Sequence, residues 1–413
     1  MKPKKIAFFG LFGQQNLGNE STLQAIIYNA RRYMPDVEIK CICTGPDDVS
    51  VGYNISAFPI SEPYPKRLNS KVWLELNNPV ARLLRKIFIR IPMEILHWVK
   101  MVKTLKGSRM LVVAGAGLLS DYATRPLGRP YEIFKWSIIA KLCWCKLLFV
   151  SVGAGPICHP LTRWFIKSAL ALADYRSYRD SFSKEYIESI GFKKNSDRVY
   201  PDLAFSLPRT MIPECNKRDT PISIIGVGIK DYYGVLGQRQ GGGEAKYWAF
   251  VDKLGTFVAW LLEHKYTVRV IIGDALYDSR VKQDLMELLK KRGLRYEDGQ
   301  IIDEPISSVE ELLSQLAATD IVVSPRFHNI LLALMLCKPV VSLSYHEKFQ
   351  SVMADVGLAE YCQDIDYLDV DKLVRQVMEL EKNAENIKPQ LEQKAEEFRR
   401  ALDRQYSIIF NNL

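Results

Sequence analysis

The segment Ser324-Pro325-Arg326-Phe327-His328 joins a strand-like stretch to a helix-like one. The apolar residues 321–323 before it predict a short buried strand, and residues 329–336 after it predict a helix. Arg326 and His328 are therefore expected at the carboxyl end of a strand, where open α/β sheets bind ligands. A guanidinium offers a planar fork to a carboxylate or phosphate, and an imidazole exchanges a proton near neutral pH. The segment predicts chemistry on a small anion.

The same alternation of apolar runs and amphipathic stretches extends along the chain. The first half contains predicted strands at residues 5–9, 37–43, 110–113, 146–152, 175–178 and 199–200. After a proline-rich polar stretch at 208–221, the second half contains predicted strands at 222–227, 268–272, 301–302, 321–323 and 340–343. Predicted helices separate most of these strands, which implies parallel sheets covered on both faces.

Length and composition support two domains, because 413 residues with 48% hydrophobic content exceed one ordinary core. We expect an α/β protein with two Rossmann-like domains whose parallel sheets face a cleft. The first domain is predicted at 1–208 and the second at 221–369. A charged helical tail at 370–413 is expected to pack back on the first domain.

The formal net charge of +9 is concentrated in one segment, residues 62–109, which holds eleven basic side chains against three acidic ones. The segment also carries regularly spaced apolar residues and two prolines, Pro79 and Pro92, so it predicts a broken basic amphipathic helix. Two interpretations stay open: contact with an anionic membrane surface, or a helical insertion packed on its own domain with solvated lysines. A nucleic-acid partner is not expected, since no binding motif accompanies the charge.

The chain begins with a lysine-rich stretch that leads directly into a strand, without the apolar core and cleavage site of a secretory signal. No apolar run is long enough for a membrane helix. We therefore expect a cytoplasmic protein, with reduced cysteines and a possible peripheral position at the inner face of the membrane. The spacing of the cysteines does not match a zinc site, and no metal or organic cofactor is expected.

Glycine-rich loops follow several strands of the first half. The loop from Gly10 to Glu20 includes Gly13, Asn16 and Asn19, and it can hold an anion on backbone amides or serve as an ordinary turn with Asn19 as helix cap. It lacks the G-x-G-x-x-G dinucleotide pattern. The later loops of this kind contain Gly115, Gly117, Asp121, Gly155 and Arg179.

Taken in order, these motifs resemble those of the polysaccharide pyruvyl transferases. The first is G-x-F-G-x-x-N-x-G-N-E-x-x-L at residues 10–23, and the most specific is S-x-R-x-H at 324–328. Between and after them lie the turn at 114–121, Val-Gly-Ala-Gly-Pro at 152–156, Ser-Tyr-Arg-Asp at 177–180, Asp-Leu-Ala-Phe at 202–205, and the segment ending in Tyr345 and Lys348. The resemblance implies a GT-B-like enzyme that transfers pyruvate from phosphoenolpyruvate to a sugar of a cell-surface glycan or its lipid-linked precursor, forming a ketal.

The resemblance also implies roles for particular residues. It associates Arg326 and His328 with donor binding and catalysis and Arg179 with holding the donor, so the second domain is the donor side and the first the acceptor side. A donor that carries a carboxylate and a phosphate needs further cations, and Lys230 and Lys348 are the candidates. His328 is the expected general acid and Asp121 the expected acceptor of a hydroxyl proton.

The chain departs from the family pattern at two positions, which keeps two other functions open. Asn19 stands where the family usually has aspartate, and Ala116 stands where it usually has glycine. These departures are compatible with altered acceptor recognition or with a non-catalytic assembly protein. A GT-B glycosyltransferase that uses a nucleotide sugar is the other alternative, although a ribose favours an acidic partner over an Arg/His pair.

Overall fold

The computed structural model describes residues 4–61, 91–115, 117–121, 124–213, 223–232, 243–274, 277–294 and 296–412. Its first sheet has seven parallel strands in the order β3-β2-β1-β4-β5-β6-β7. These strands are β1 (Lys5–Phe9), β2 (Glu38–Cys43), β3 (Ser56–Pro59), β4 (Ser108–Ala114), β5 (Lys146–Val152), β6 (Tyr175–Tyr178) and β7 (Arg198–Val199).

The helices of the first domain cover both faces of this sheet. They are α1 (Leu17–Tyr33), α2 (Pro46–Tyr53), α3 (Ile91–Leu105), α4 (Arg129–Leu142), α5 (Pro160–Leu172) and α6 (Ser181–Ser189), followed by short 3-10 turns at Leu203–Ser206 and Arg209–Met211. Successive side chains of β1 alternate between the two faces, and Ile6 and Phe8 join one buried cluster while Ala7 and Phe9 join another. Both faces of the sheet are therefore core, as expected of parallel strands.

The second sheet has six parallel strands in the order β10-β9-β8-β11-β12-β13. Its strands are β8 (Ile224–Gly228), β9 (Thr267–Ile271), β10 (Ile301–Ile302), β11 (Ile321–Ser324), β12 (Val340–Ser344) and β13 (Cys362–Asp364). Its helices are α7 (Gly243–Glu263), α8 (Asp278–Lys291), α9 (Val309–Ala317), α10 (Phe327–Met335) and α11 (Glu347–Asp355), with 3-10 turns at Ala359–Tyr361 and Ile365–Tyr367.

A long C-terminal helix, α12 (Val370–Ser407), packs on both domains before a final π turn at Ile408–Asn412. Its first part contributes Leu373 and Val377 to the core. Near its end, the buried Gln405 donates to the Ser177 hydroxyl at 2.6 Å and accepts from the Ser151 hydroxyl at 3.1 Å. The helix thus ties the first domain to the second.

The predicted fold class is confirmed: the chain forms two parallel-sheet α/β domains. The sequence missed the edge strands β3 and β13, which are short and only partly buried, so their apolar pattern is weak. Asp47 and Asp48 lie in the first turn of α2, where their carboxylates interact favourably with the helix dipole. Of the predicted insertion, residues 62–90 lie outside the described residues, and Pro92 occupies the first turn of α3.

Candidate active site

A small cavity of about 150 Å³ lies between the carboxyl edges of the two sheets. Both domains contribute to its wall. Its lining residues are Asn16, Gly18, Asn19, Gly117, Arg179, Lys230, Gly273, Arg326, Phe327, His328, Asn329, Tyr345 and Lys348. They follow the ends of β1, β4, β6, β8, β9, β11 and β12, because parallel strands bring such loops to the same edge of each sheet.

Three helices begin at this cavity. Asn16 caps α1 by accepting from the Asn19 amide, Arg326 precedes the first residue of α10, and Lys348 lies in the first turn of α11. Helix amino ends carry partial positive charge and unpaired amides. Their convergence makes the cavity suited to an anion.

The two domains make direct contact beside the cavity. The Leu17 amide donates to the Gly273 carbonyl at 3.2 Å, and the Asn16 side-chain amide donates to Asp274 at 3.2 Å. On the other side, His346 Nε2 lies 3.2 Å from the Gly155 carbonyl, so a protonated Nε2 can donate to it. These contacts set the distance between the residues of α1 and those of α10.

Arg326 is held by carboxylates of the second domain. One Nη atom contacts Asp278, which is fully buried, and the other lies 3.9 Å from Asp274. Its Nε has no hydrogen-bond partner among the described residues although it is buried. The guanidinium is thus oriented by its neighbours, and its Nε–H remains for a ligand.

Arg179 approaches the cavity from the first domain. Its guanidinium lies 3.2 Å from Asp180, 3.5 Å from Asp202 and 4.6 Å from the centre of the Phe327 ring. The side chain is 5% exposed. Its position is therefore fixed by an ion-pair network and an aromatic face rather than by solvent.

Two lysines place their ammonium groups against aromatic rings. Lys230 Nζ lies 4.8 Å from the Tyr345 ring centre, and Lys348 Nζ lies 4.9 Å from that of Phe327. Burial lowers the pKa of Lys230 to about 7, helped by the charge of Arg326, and burial also lowers the pKa of Lys348. Neither ammonium forms an ion pair with a carboxylate of the described residues within 4.0 Å, so both are available to neutralise a bound anion.

His328 lies in the first turn of α10 and packs against Gly18 of α1. A Cβ atom added to Gly18 would lie 2.0 Å from His328 Nδ1, so only glycine permits this approach. Burial lowers the pKa of His328 to about 4, and neighbouring cations act in the same direction. The imidazole is therefore neutral at neutral pH when the cavity holds no ligand.

Several buried polar atoms around the cavity lack partners within the described part of the chain. Five of the eleven such side-chain atoms belong here: Asp202 Oδ2, Arg326 Nε, His328 Nε2, and Asn329 Oδ1 and Nδ2. Buried polar groups in native proteins nearly always have partners, in the protein or in ordered water. This concentration of unpaired atoms makes the cavity the candidate site.

The structure brings eight of the thirteen candidate site residues to the cavity wall: Asn16, Asn19, Gly117, Arg179, Lys230, Arg326, His328 and Lys348. The other five, which are Gly13, Glu20, Gly115, Asp121 and Gly155, do not line it. Sequence order could not separate the two groups, because both occur in the same loops.

Asp121, the predicted proton acceptor, binds backbone amides of a neighbouring loop. Its Oδ2 accepts from the backbone amides of Cys158 and His159 at 2.7 and 2.8 Å. A carboxylate that binds two amides stabilises the loop after β5. Asp121 therefore does not line the cavity, and its role as proton acceptor stays a prediction.

The remaining four residues shape the backbone. Glu20 accepts from the Gly13 amide at 2.7 Å and from the Tyr53 hydroxyl at 2.9 Å, and burial raises its pKa. Gly13, Gly115 and Gly155 have φ values of 78°, 56° and 85°, which L side chains rarely adopt. These residues support the loops that carry Asn16, Asn19 and Gly117.

Sequence reasoning gave no role to several residues of the site. Asp274 and Asp278 orient Arg326, and Asn329 lines the wall. Asp274 follows β9 at the predicted ligand-binding edge, and this position could have indicated a role in the site. Gly18 and Asp202 belonged to quoted motifs, but nothing in the sequence shows that both meet His328.

The family model for polysaccharide pyruvyl transferases matches residues 16–347. The chain belongs to this family. The match includes every cavity-lining residue except Lys348, which follows it directly. None of the curated proteins compared with the chain matches it.

Solved structures with the same fold have low sequence identity to this chain. A glycosyltransferase from Rickettsia africae is 13% identical with a TM-score of 0.57, and each chain is covered completely. The UDP-GlcNAc 2-epimerase from Neisseria meningitidis, solved with UDP-GlcNAc bound, is 11% identical with a TM-score of 0.55 over 97% of this chain and 100% of that one. The fold is thus the GT-B-like arrangement predicted from the sequence.

Within the described residues, no helix has the length and apolar character needed to cross a membrane. Among the same residues, no group of three or more histidine, cysteine, aspartate or glutamate side chains is arranged to hold a metal ion.

Proposed function

We propose that this protein transfers pyruvate from phosphoenolpyruvate to a sugar of a cell-surface polysaccharide or its lipid-linked precursor and forms a pyruvate ketal. The observation that carries the proposal is the convergence of four cationic side chains and three helix amino ends on one cavity of about 150 Å³. The four are Arg179, Lys230, Arg326 and Lys348. A compact polyanion matches this site in size and charge.

The donor has two anionic groups, a carboxylate and a phosphate, and the site offers cations from both domains. Arg326, with its free Nε and fixed orientation, suits bidentate contact with one anionic group. Arg179 and Lys348 lie 4.6 and 4.9 Å from the centre of the Phe327 ring and suit the other anionic group. Lys230, whose pKa is about 7 without a ligand, becomes fully charged when an anion binds beside it.

Donor binding also changes the charge of His328. The imidazole is neutral in the free protein because burial and three cationic neighbours disfavour a proton. An anion placed among those cations offsets their charge and raises the pKa of the imidazole. His328 therefore takes up a proton as the donor binds, and the general acid is generated only in the complex.

The reaction then needs one group that gives and later accepts a proton. His328 delivers its proton to the methylene carbon of the enol, which makes the adjacent carbon electrophilic. A sugar hydroxyl adds to that carbon and its proton passes to the now neutral imidazole. The imidazolium gives this proton to the phosphate as its bond to the carbon breaks and hydrogen phosphate leaves. A second hydroxyl then closes the ketal and returns its proton to the imidazole. Asp121 has no role in these reaction steps.

The acceptor is proposed to approach from the first domain. Asn16, Asn19 and Gly117 form that side of the cavity, and Gly117 has open space around its Cα. An asparagine at position 19 can donate to and accept from sugar hydroxyls through its side-chain amide. Acceptor recognition is thus compatible with the departure from the usual family motif.

A nucleotide sugar is the competing ligand, because the Neisseria epimerase of the same fold was solved with UDP-GlcNAc. The Arg326/His328 pair argues against it, since a ribose favours an acidic partner. Calorimetry distinguishes the two ligands. We expect binding of phosphoenolpyruvate and no heat with UDP, GDP or ADP sugars, and the reverse result would favour the glycosyltransferase function.

We further propose that α3 brings the protein to the inner face of the membrane. Its exposed surface carries Ile95, Leu96 and Val99, which are 45–58% exposed, and Lys103 and Lys106 extend from its carboxyl end. Apolar residues beside lysines suit an anionic lipid surface.

Vesicle sedimentation tests this contact. We expect the protein to pellet with vesicles that contain anionic lipid and not with neutral ones, and we expect Val99→Glu to abolish pelleting. Val51→Glu is the matched control, because Val51 is 87% exposed on α2. Equal pelleting of both variants with wild-type protein would contradict the contact.

The decisive experiment combines phosphoenolpyruvate with candidate lipid-linked oligosaccharides and detects added pyruvate by mass spectrometry. Arg326→Ala and His328→Ala are the controls, and both should lose turnover. Retention of wild-type turnover by both variants would overturn the site assignment. If a broad acceptor panel gives neither phosphate release nor donor binding while the protein remains folded, the non-catalytic assembly function would replace the proposal.

A further inference from the structure

Asp202 is a buried carboxylate beside His328 whose two oxygens have different surroundings. Its Oδ1 accepts from the Ala204 amide at 3.0 Å and caps the 3-10 turn at Leu203–Ser206. Its Oδ2 has no hydrogen-bond partner among the described residues and lies 3.9 Å from His328 Nε2, which also lacks one. Asp202 is only 3% exposed, so water does not readily satisfy the free oxygen.

The pair spans the two domains. Asp202 follows β7 of the first domain, and His328 lies on α10 of the second. Arg179 Nη1 lies 3.5 Å from the same Oδ2 and therefore links the carboxylate to the cation network of the cavity. A small approach of the domains would shorten the contact between Oδ2 and Nε2.

We infer that Asp202 is the positioning residue of the active site: it accepts a hydrogen bond from His328 Nε2–H and thereby selects Nδ1 as the atom that transfers the proton. This inference rests on the proposed function of the site. A shift of about 1 Å would bring the pair to an ordinary N–H···O distance of about 2.9 Å. Nδ1 already lies against Gly18, at the cavity wall.

The charges around the imidazole explain why it needs this carboxylate. The groups that face His328 are Asp202, Arg179, Lys348 and Arg326, and only the first is negative. Without Asp202, three cations would oppose protonation of the ring. With Asp202 in contact, the imidazolium has a fixed counter-charge while the donor anion engages the cations.

The proton balance of the reaction is then complete. Nδ1–H protonates the methylene carbon, and the neutral ring keeps its proton on Nε2, where Asp202 holds it. Nδ1 then has the lone pair that accepts the proton of the first hydroxyl, gives that proton to the leaving phosphate, and accepts the proton of the second hydroxyl. No step passes a proton to Asp202, and the buried carboxylate beside the histidine of a Ser-His-Asp triad likewise receives none.

Asp202→Asn separates this role from the structural one. Asparagine retains an oxygen for the Ala204 amide but places an NH₂ group opposite Nε2, which favours the Nδ1–H tautomer. Asp364→Asn is the matched control, because Asp364 also caps a 3-10 turn through Oδ1, at 2.8 Å from the Asp366 amide, and is exposed.

The tautomer is measured directly by NMR of protein labelled with ¹⁵N in its histidines, of which the chain has five. The His328→Ala variant assigns the signal. We expect the Nε2–H tautomer in the free wild-type protein and in free Asp364→Asn, and the Nδ1–H tautomer in free Asp202→Asn. The same tautomer in all three proteins would overturn the inference.

Kinetics provide an independent test. Asp202→Asn should lower kcat by at least about 100-fold, the lower range of general acid–base contributions, with little change in KM for phosphoenolpyruvate. Adding it to His328→Ala should cause no further loss, since the two residues act as one unit. A further loss of similar size would show that Asp202 acts elsewhere. If wild-type protein does not consume phosphoenolpyruvate, the proposed function fails, while the tautomer of the free protein still decides the role of Asp202.

Discussion

Gly18→Ala tests whether the contact between α1 and His328 controls catalysis. The added Cβ would lie 2.0 Å from Nδ1, whereas ordinary contacts begin at 3.4 Å, so the imidazole or its helix must move by about 1.4 Å, the difference between these two distances. A misplacement of about 1 Å can cost about 100-fold in rate. We therefore expect kcat/KM for phosphoenolpyruvate to fall by at least about 100-fold.

The variant should nevertheless fold. Alanine is favoured over glycine within a helix by about 1 kcal/mol, and overpacking typically costs about 1–3 kcal/mol. These effects nearly cancel, so the free energy of unfolding should change by no more than about 2 kcal/mol.

The assay is release of phosphate from phosphoenolpyruvate in the presence of the acceptor, with urea unfolding as the measure of stability. Gly52→Ala is the matched control, because Gly52 lies in α2 and a Cβ there meets nothing within 4 Å. Gly52→Ala should behave as wild type. If Gly18→Ala retains wild-type kcat/KM, or if both variants lose activity equally, the reasoning is wrong.

Three further predictions concern pH, donor binding and the C-terminal helix. Because the pKa of His328 falls from 6.5 to about 4 on folding, this residue contributes about 3 kcal/mol to the free energy of unfolding above pH 6.5, and the contribution is lost as the pH falls through 4. Urea unfolding at pH 7 and pH 4 should therefore show a smaller difference in stability for His328→Gln than for wild-type protein, and an equal difference would contradict the lowered pKa. Arg326→Lys keeps the positive charge but loses the planar guanidinium, so calorimetry should show donor binding weakened by at least about 10-fold, the equivalent of one charged hydrogen bond. The exposed Arg280→Lys should bind the donor normally. Unchanged binding by Arg326→Lys would exclude the bidentate contact. Gln405→Leu leaves the buried Ser151 hydroxyl without its partner and removes one partner of Ser177, so it should cost about 1–3 kcal/mol in urea unfolding. The exposed Gln393→Leu on the same helix should cost under about 0.5 kcal/mol, and equal costs would show that α12 is not anchored at Gln405.

The fold was predictable from the sequence because parallel strands buried on both faces leave continuous apolar runs. Residues 146–152 are an example, since the predicted and observed strand bounds coincide at Lys146–Val152. The edge strands β3 and β13 escaped prediction because an edge strand of a few partly buried residues has no such run.

The candidate site was predictable in part for a related reason. Arg326 and Lys348 follow strands directly, so their place at the ligand edge followed from the order of elements. Asp121 follows a strand in the same way, yet it turns to the amides of Cys158 and His159. The direction of a loop side chain depends on neighbours distant in sequence, and local pattern does not contain them.

By itself, the sequence determined the order of strands and helices, the two parallel sheets and the edge at which an anion would bind. These features depend on local apolar periodicity and on residues adjacent to strand ends. The tertiary structure alone shows that Gly18 admits His328, that Asp202 lies beside its Nε2, and that burial lowers the pKa of the imidazole. Asp202 and Arg179, both more than a hundred positions away in the sequence, also act on that pKa, and they meet His328 only when the two domains pack together.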